Sequence, residues 1–441
     1  MPRRVGPVLR TTAAVLAGKA ARVATRLRGG GSAMPGLVVE RVDPAFLTHA
    51  LGRIPGGVVV VTGTNGKTTT TKMLAAIIAA HGRTVFSNPT GSNFTRGVIS
   101  SMLGEIPLSG RLDADVAVLE LDEWHALQFA KVVTPTHSLL LNVARDQLDR
   151  FAEIDTTAKL LAALAAQTSR GVVLNRDDSF VARVDGTLAP DVEIRWFGID
   201  PAVADDLPPL AETDARFDEL HTVPDPGDTD GMLHPHDARS FSVSFGAQEV
   251  GPVELKQRGL AAMINATAAL TTARMVLGAE FRADAALAAL RVVTPPFGRG
   301  EVIDAGGQPL ELVLVKNPAG FTVALGTYGA EPVTTMVAIN DDYADGQDVS
   351  WLYDVSFESL RTKGVALTSG VRGYDMALRL QYDDVDVTHV ELDLEEALDR
   401  LLREHPDEPR RIFCTYTAMM RLRRLLAARY GLANFGEEAP A

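Results

Sequence analysis

Short apolar runs recur along the chain, each closed by glycine or polar residues and most followed by a stretch with helical spacing. IPGGVVVVTG (54–63) reads as a buried strand entering a turn, and KTTTTKMLAAIIAAHG (67–82) as the helix behind it, closed by Gly82. ADVAVLELDE (114–123), HSLLLNVARD (137–146) and GVVLNRDD (171–178) are further buried runs of the same kind. Strands and helices in this order predict a mainly parallel sheet with ligands at the carboxyl ends of its strands. A long helical segment, LKQRGLAAMINATAALTTARMVLG (255–278), and a shorter one, ADAALAALRVV (283–293), close this part. The chain then turns at TPPFGRG (294–300), which sets an expected domain boundary between 298 and 299. Beyond it, strand-like LELVLVKN, TTMVAIND, GVALTSG and RRIFCTY alternate with helix-like YDMALRL and LEEALDRLLREH. The expected fold class is α/β: a larger domain over 51–298 and a smaller, Rossmann-like α/β domain over 299–441. No internal repeat is visible.

Two regions depart from the alternation. Residues 1–50 read as a basic amphipathic segment, with Arg3, Arg4, Arg10, Lys19, Arg22, Arg26 and Arg28 and no acid before Glu40. The small apolar stretch TTAAVLAG (11–18) is short for a signal sequence and runs directly into Lys19 and Arg22. A solvated terminal helix and a helix resting on anionic lipid both fit. Residues 200–236 carry ten acids between Asp200 and Asp230, several prolines and Arg216 as their one Lys or Arg, and read as an irregular acidic insertion. His234 and His236 lie at its end with no cysteine near, which favours a solvated loop over a metal site.

Charge and composition narrow the classes. A net charge of −13 argues against a general nucleic-acid binder. The single cysteine, Cys414, excludes intrachain disulfides and multi-cysteine metal sites, and its alternating setting in IFCTYTA reads as a small core residue. No apolar run reads as long enough to cross a membrane.

The chemistry concentrates in GTNGKTTTTKML (63–74). A phosphate needs a strand ending in a tight turn, inward backbone N–H groups and a helix N-terminus behind them. Gly63 and Gly66 permit the turn, Thr64, Asn65 and Thr69 complete it, Lys67 supplies a cation for the β- and γ-phosphates, and Thr68 a hydroxyl for Mg²⁺. The longer phosphate-loop pattern would have glycine where Val61 stands. ATP binding is expected.

GTNGKTTT is similar to the phosphate loop of the Mur ligase family, and other segments follow in that family's order. NPTGSNFTRG (88–97) resembles its segment after the second strand, with Gly91, Ser92 and Asn93 toward nucleotide and substrate. VLELDE (118–123) resembles the strand whose glutamate, Glu120 here, holds Mg²⁺. NVARDQLDRF (142–151) and NRDD (175–178) resemble a substrate-side stretch and an adenine-side stretch, the latter contributing Asn175. Asn265 in RGLAAMINATAA fits the second asparagine of that family's segment, a cofactor-binding position. The departures are Gln147 in place of a metal-binding histidine, Ala262 in place of a first asparagine, Lys159 too early to match a carbamylated lysine, and VKNPAGF (315–321) where D-Y-A-H-N-P is usual. The stretch ahead of the loop is also too short for a UDP-binding domain.

KNPAGF, INDDYADGQDVSWLYDVSFE (339–358) and TSGVRGYDMALRL (368–380) resemble the MurT branch, the ligase subunits of lipid II isoglutaminyl synthases. That resemblance implies a Mur-type P-loop ATPase domain, ATP and Mg²⁺ as cofactors, and no zinc, since the four-cysteine ribbon of many members is missing. It implies amidation of the D-glutamate α-carboxyl of lipid II through an acyl phosphate at the inner face of the cytoplasmic membrane. Lys67 and Glu120 would be catalytic. Ammonia would come from a separate glutaminase with a Cys-His pair in a heterodimer, with Asp348 of DGQDVSW completing its triad. Taken alone, Asp348 is one acid of a solvated acidic loop, and Trp351 and Tyr353 are either partner-facing or core. Two alternatives stay open: another Mur-type amino-acid or glutamate ligase, such as a folylpolyglutamate synthase, and a non-catalytic nucleotide-binding scaffold for an amidotransferase.

Overall fold

The computed structural model describes residues 7–27, 33–88, 94–145, 154–204, 207, 225–329 and 331–432. Two sheets organise the chain. The first contains β1 (Val58–Thr62), β2 (Val85–Ser87), β3 (Val116–Glu120), β4 (His137–Leu140), β5 (Gly171–Asn175), β6 (Glu193–Ile199), β7 (Gly231–Pro235), β8 (Ser240–Phe245) and β9 (Gln248–Glu254). Their order is β2-β3-β1-β4-β5-β6-β7-β8-β9. Pairing is parallel as far as β7, and β8 and β9 fold back antiparallel.

The parallel strands are buried on both faces, which is why they read as continuous rather than alternating apolar runs. Val58 and Val60 join one core with Ala117, Leu119 and Leu174, while Val59 and Val61 join the other with Val118, Leu139 and Val173. The second core is closed by the helices Lys67–Ala80, Leu260–Leu277 and Ala283–Val292. Leu260–Glu280 is long and apolar enough to cross a membrane, contrary to the sequence expectation. It packs against β6, β7 and the Lys67–Ala80 helix and is mostly buried, so its apolar composition fills this core.

The first core reaches into the N-terminal region. Helices Pro7–Leu27, Ala33–Val42 and Phe46–Leu51 contribute Ala14, Val15, Val39, Phe46, Leu47 and Leu51 to it. Residues 7–27 and 33–51 are therefore packed on this domain and not simply solvated: the small residues of the first helix let it pack on the second, and Thr11 donates to buried Asp43 at 2.8 Å.

The acidic stretch 200–236 is also not wholly irregular. Most of it lies outside the described residues, but its end forms β7 beside β6. His234 and His236 face strand partners there, Ser244 at 2.9 Å and Ser242 at 2.8 Å.

The second sheet contains β10 (Arg299–Asp304), β11 (Pro309–Leu314), β12 (Thr334–Ala338), β13 (Val365–Ser369), β14 (Val387–Glu391) and β15 (Arg410–Cys414), in the order β10-β11-β15-β12-β13-β14. Only the β10–β11 pair is antiparallel. Arg258, ahead of the Leu260–Leu277 helix, donates two bonds to Glu331 after the helix Pro318–Tyr328, and Arg145 pairs with Asp354 at 2.9 Å. These bonds hold the carboxyl end of the first sheet against the second.

Candidate active site

The loop between β1 and its helix is shaped by two glycines with positive φ, Gly63 at 128° and Gly66 at 87°. Neither tolerates a side chain. A Cβ on Gly63 would lie 2.9 Å from the Asn142 backbone, and one on Gly66 only 2.4 Å from Asn265 Oδ1. Asn142 braces the turn from the end of β4: its carbonyl accepts Thr64 N–H at 2.9 Å, its Oδ1 accepts Asn65 N–H at 2.8 Å, and its Nδ2 donates to Asn65 O at 3.0 Å. The helix N-terminus at Lys67 thus faces a rigid loop, an arrangement suited to an anion.

Lys67 is buried. Its ammonium donates to Gly63 O at 2.7 Å and lies 3.3 Å from Asp122 Oδ1 and 3.9 Å from Glu123 Oε1. Next to it, Thr68 Oγ1 donates to Glu120 Oε1 at 2.8 Å. Glu120 ends β3, where Asn88 grips its backbone N–H and carbonyl, each at 2.8 Å. Burial pushes the Glu120 carboxyl up, and Arg299, Lys67 and the Thr68 hydroxyl pull it back toward ionisation. Among the described residues no cluster of three or more His, Cys, Asp or Glu could hold a metal by itself. A hydroxyl beside one carboxylate nevertheless fits Mg²⁺, which is commonly held by one or two carboxylates, phosphate oxygens and water.

The loop opens on a cleft of about 410 Å³ walled by both sheets. Lys67, Thr68, Glu120, Ala262 and Asn265 line it from the first; Arg299, Lys316, Tyr328, Ala344 and Tyr416 line it from the second. Arg299 and Lys316 were missed by sequence reading. The signal for Arg299 was present in FGRG: Gly298 and Gly300 both take positive φ and hold the arginine at the start of β10, where Glu120 acts on its charge. Asn317, in VKNPAGF, has a role that the sequence does not reveal. Its Nδ2 donates to Asn65 Oδ1 at 3.1 Å while its Oδ1 caps the Pro318–Tyr328 helix through Gly320 N–H at 2.7 Å.

The remaining expected residues lie elsewhere. Asn175 does not reach the cleft: its Nδ2 donates to Leu141 O at 2.8 Å and its Oδ1 accepts Asp177 N–H at 2.9 Å, so it is spent on joining β5 to β4. Gly91, Ser92, Asn93 and Gln147 lie outside the described residues. Lys159 sits in the helix Ile154–Ala165 and lines a separate hollow with Phe180 and Arg183. Cys414 is wholly buried, and burial pushes its thiol far up. Asp348 is exposed on the loop after β12 and accepts Ser350 N–H at 2.8 Å; that bond holds its carboxyl below the usual carboxylate value. Four residues earlier the same loop reaches the cleft at Ala344, and buried Asp345 anchors it by accepting Thr417 N–H at 2.8 Å. Trp351 packs on Phe321 in the core, whereas Tyr353 is exposed.

Residues 61–273 match the Mur ligase middle domain and residues 314–419 the MurT ligase C-terminal domain. The chain is 31% identical to the Streptococcus pneumoniae "Lipid II isoglutaminyl synthase (glutamine-hydrolyzing) subunit MurT", over 96% of this chain and 98% of that one. The chain belongs to the MurT family. A Staphylococcus aureus MurT subunit is 27% identical over 86% of this chain and 89% of its own. The fold is that of the Mur ligases: MurF from Acinetobacter baumannii superposes with a TM-score of 0.67 at 17% identity, over 91% of this chain and 81% of that one. As a MurT-family member the chain is an ATP-dependent ligase, and the relatives' names mark them as one subunit of a larger enzyme.

Proposed function

We propose that this MurT-family chain amidates the α-carboxyl of D-glutamate in the lipid II stem peptide, giving D-isoglutamine. A carboxylate oxygen attacks the γ-phosphorus of ATP, ADP leaves, and the carboxyl becomes an acyl phosphate. Ammonia then attacks the carbonyl carbon and inorganic phosphate departs. The observation that carries this reading is the cleft in which Lys67, Thr68 and Glu120 face Arg299 and Lys316 across two sheets. Such a reaction needs charge neutralisation on the transferring phosphoryl group and close alignment of acceptor and phosphate. Lys67 and the loop amides would hold the phosphates, Asn265 would border the nucleotide, and Arg299 and Lys316 would orient the acceptor side. Mg²⁺, held by Thr68 and Glu120, would supply further neutralisation of phosphate charge.

Ammonia at neutral pH is mostly protonated and a poor nucleophile, so its source matters. A glutaminase commonly uses an activated cysteine, and the only cysteine here is buried with its thiol pushed up. A second subunit with a Cys-His pair, forming a heterodimer, would supply it. Asp348, ionised and exposed, has the character needed to orient that partner's imidazolium. The surroundings support docking there: Tyr374, Leu378 and Tyr382 recur on one face of the helix Gly373–Tyr382, and Tyr353 meets Tyr382 with ring centroids 6.1 Å apart, all with exposed side chains. A lipid-linked acceptor would put the work at the inner face of the cytoplasmic membrane.

The test supplies ATP, Mg²⁺, a lipid II analogue and ammonium chloride at raised pH, with mass spectrometry reading the conversion of carboxyl to carboxamide. Product that vanishes in Lys67→Ala is the expected result. ATP turnover indifferent to the lipid II analogue, with no amide formed even when a glutaminase and glutamine are added, would overturn the reading.

A further inference from the structure

The first helix, Pro7–Leu27, has two apolar faces, and the core uses only one of them. Thr11, Ala14, Val15 and Gly18 face inward, and a Cβ on Gly18 would lie 2.4 Å from Val39 Cγ2, so this face is closed against the neighbouring helix. The outward face carries Leu9, Ala13, Leu16, Ala20 and Val23, all exposed, spaced by alternating steps of four and three. That spacing keeps the five side chains in one stripe along a helix. The large members are far more open than chance exposure in a core-packed helix requires: Leu9 is 67% exposed, Leu16 51% and Val23 60%.

Charge decides what could cover the stripe. The first 39 residues hold seven cations and no acid, within a chain whose net charge is −13. A second copy of the helix would bring like charge against like, which disfavours self-pairing. An anionic lipid surface satisfies both features, with apolar side chains entering the headgroup boundary and basic ones meeting lipid phosphates. The structure assigns the Leu9–Leu16–Val23 face of the first helix as a docking surface for an anionic membrane, on which the helix lies flat. This inference extends the lipid-linked reading above, but it stands on the helix itself, and the flotation that tests it needs no lipid II.

The experiment is vesicle flotation of the full chain, using vesicles of equal parts phosphatidylglycerol and phosphatidylcholine against pure phosphatidylcholine. Binding to the anionic vesicles, weakening with salt and roughly tenfold lower on phosphatidylcholine, is expected. Leu16→Glu combined with Val23→Glu should abolish flotation while circular dichroism and ammonia-driven amidation of a soluble, short-chain lipid II analogue stay unchanged. Failure of the native chain to float, equal binding to both vesicle types, or flotation unaffected by the double substitution would overturn the assignment. So would a double variant that still floats but no longer assembles with the glutaminase, because the stripe would then be a protein interface. A chain that floats as expected yet forms no amide would leave the docking surface standing and count against the proposed reaction alone.

Discussion

The phosphate loop and the Asp348 loop both follow buried parallel strands, and the side chains around them have opposite fates. Around the phosphate loop, Lys67, Thr68 and Glu120 are buried and bonded to one another or to backbone within the same chain. On the second loop Asp345 is buried and bonded, but Asp348, three residues on, is exposed with a backbone amide as its near neighbour. A group whose environment is complete can work alone. On the proposed reading, the exposed Asp348 carboxylate would be completed by a group from another molecule.

Substitutions can break this contrast. The largest effect is expected for Lys67→Ala, which should lower amidation roughly ten-thousandfold whether ammonium or glutamine supplies nitrogen, read by steady-state kinetics. Asp348→Asn should lower the glutamine-driven reaction roughly a thousandfold and leave the ammonium-driven reaction intact. An equal loss in both would place Asp348 with the buried group. Replacing Tyr374 and Tyr382 together by glutamate should weaken glutaminase binding roughly a hundredfold in calorimetry, with no change in the melting profile of the isolated chain.

The smallest effect concerns the sheet beneath the phosphate loop. His137, buried in β4 opposite Val59, is pushed down from 6.5 to about 4 by burial, reinforced by Arg170. Between those values the unfolded chain binds the proton and the folded chain does not. Stability should therefore fall as pH drops through this window, by about 2 kcal/mol from pH 7 to pH 5, and His137→Gln should flatten that slope in urea titrations.

Much of the first domain was legible because its strands are buried on both faces and its loop chemistry is local. VVVVT followed by GTNGKT specifies strand, turn and helix within a dozen residues, and Lys67, Thr68 and Asn265 do meet in the structure. What was not legible depends on distant partners. Asn175 reads as a ligand contact until Leu141 is seen accepting its amide. Arg299 reads as part of a turn until β10 carries it to Glu120. The packed face of the N-terminal helix is not legible because alanines and a glycine look equally at home in water or in a tight helix contact. β7 is hidden by the acidic residues before it, since strand pairing is a property of two segments and only one was apolar.

The company kept by Lys67 has a further consequence. Asp122 and Glu123 stand within 4 Å of its ammonium, and Glu120 on Thr68 is faced by Arg299, so acids and bases are already matched around the loop. A nucleotide entering the cleft must draw that ammonium away from carboxylates that neutralise it. The loop is in that sense a place of ion-pair exchange, not a bare cation waiting for an anion.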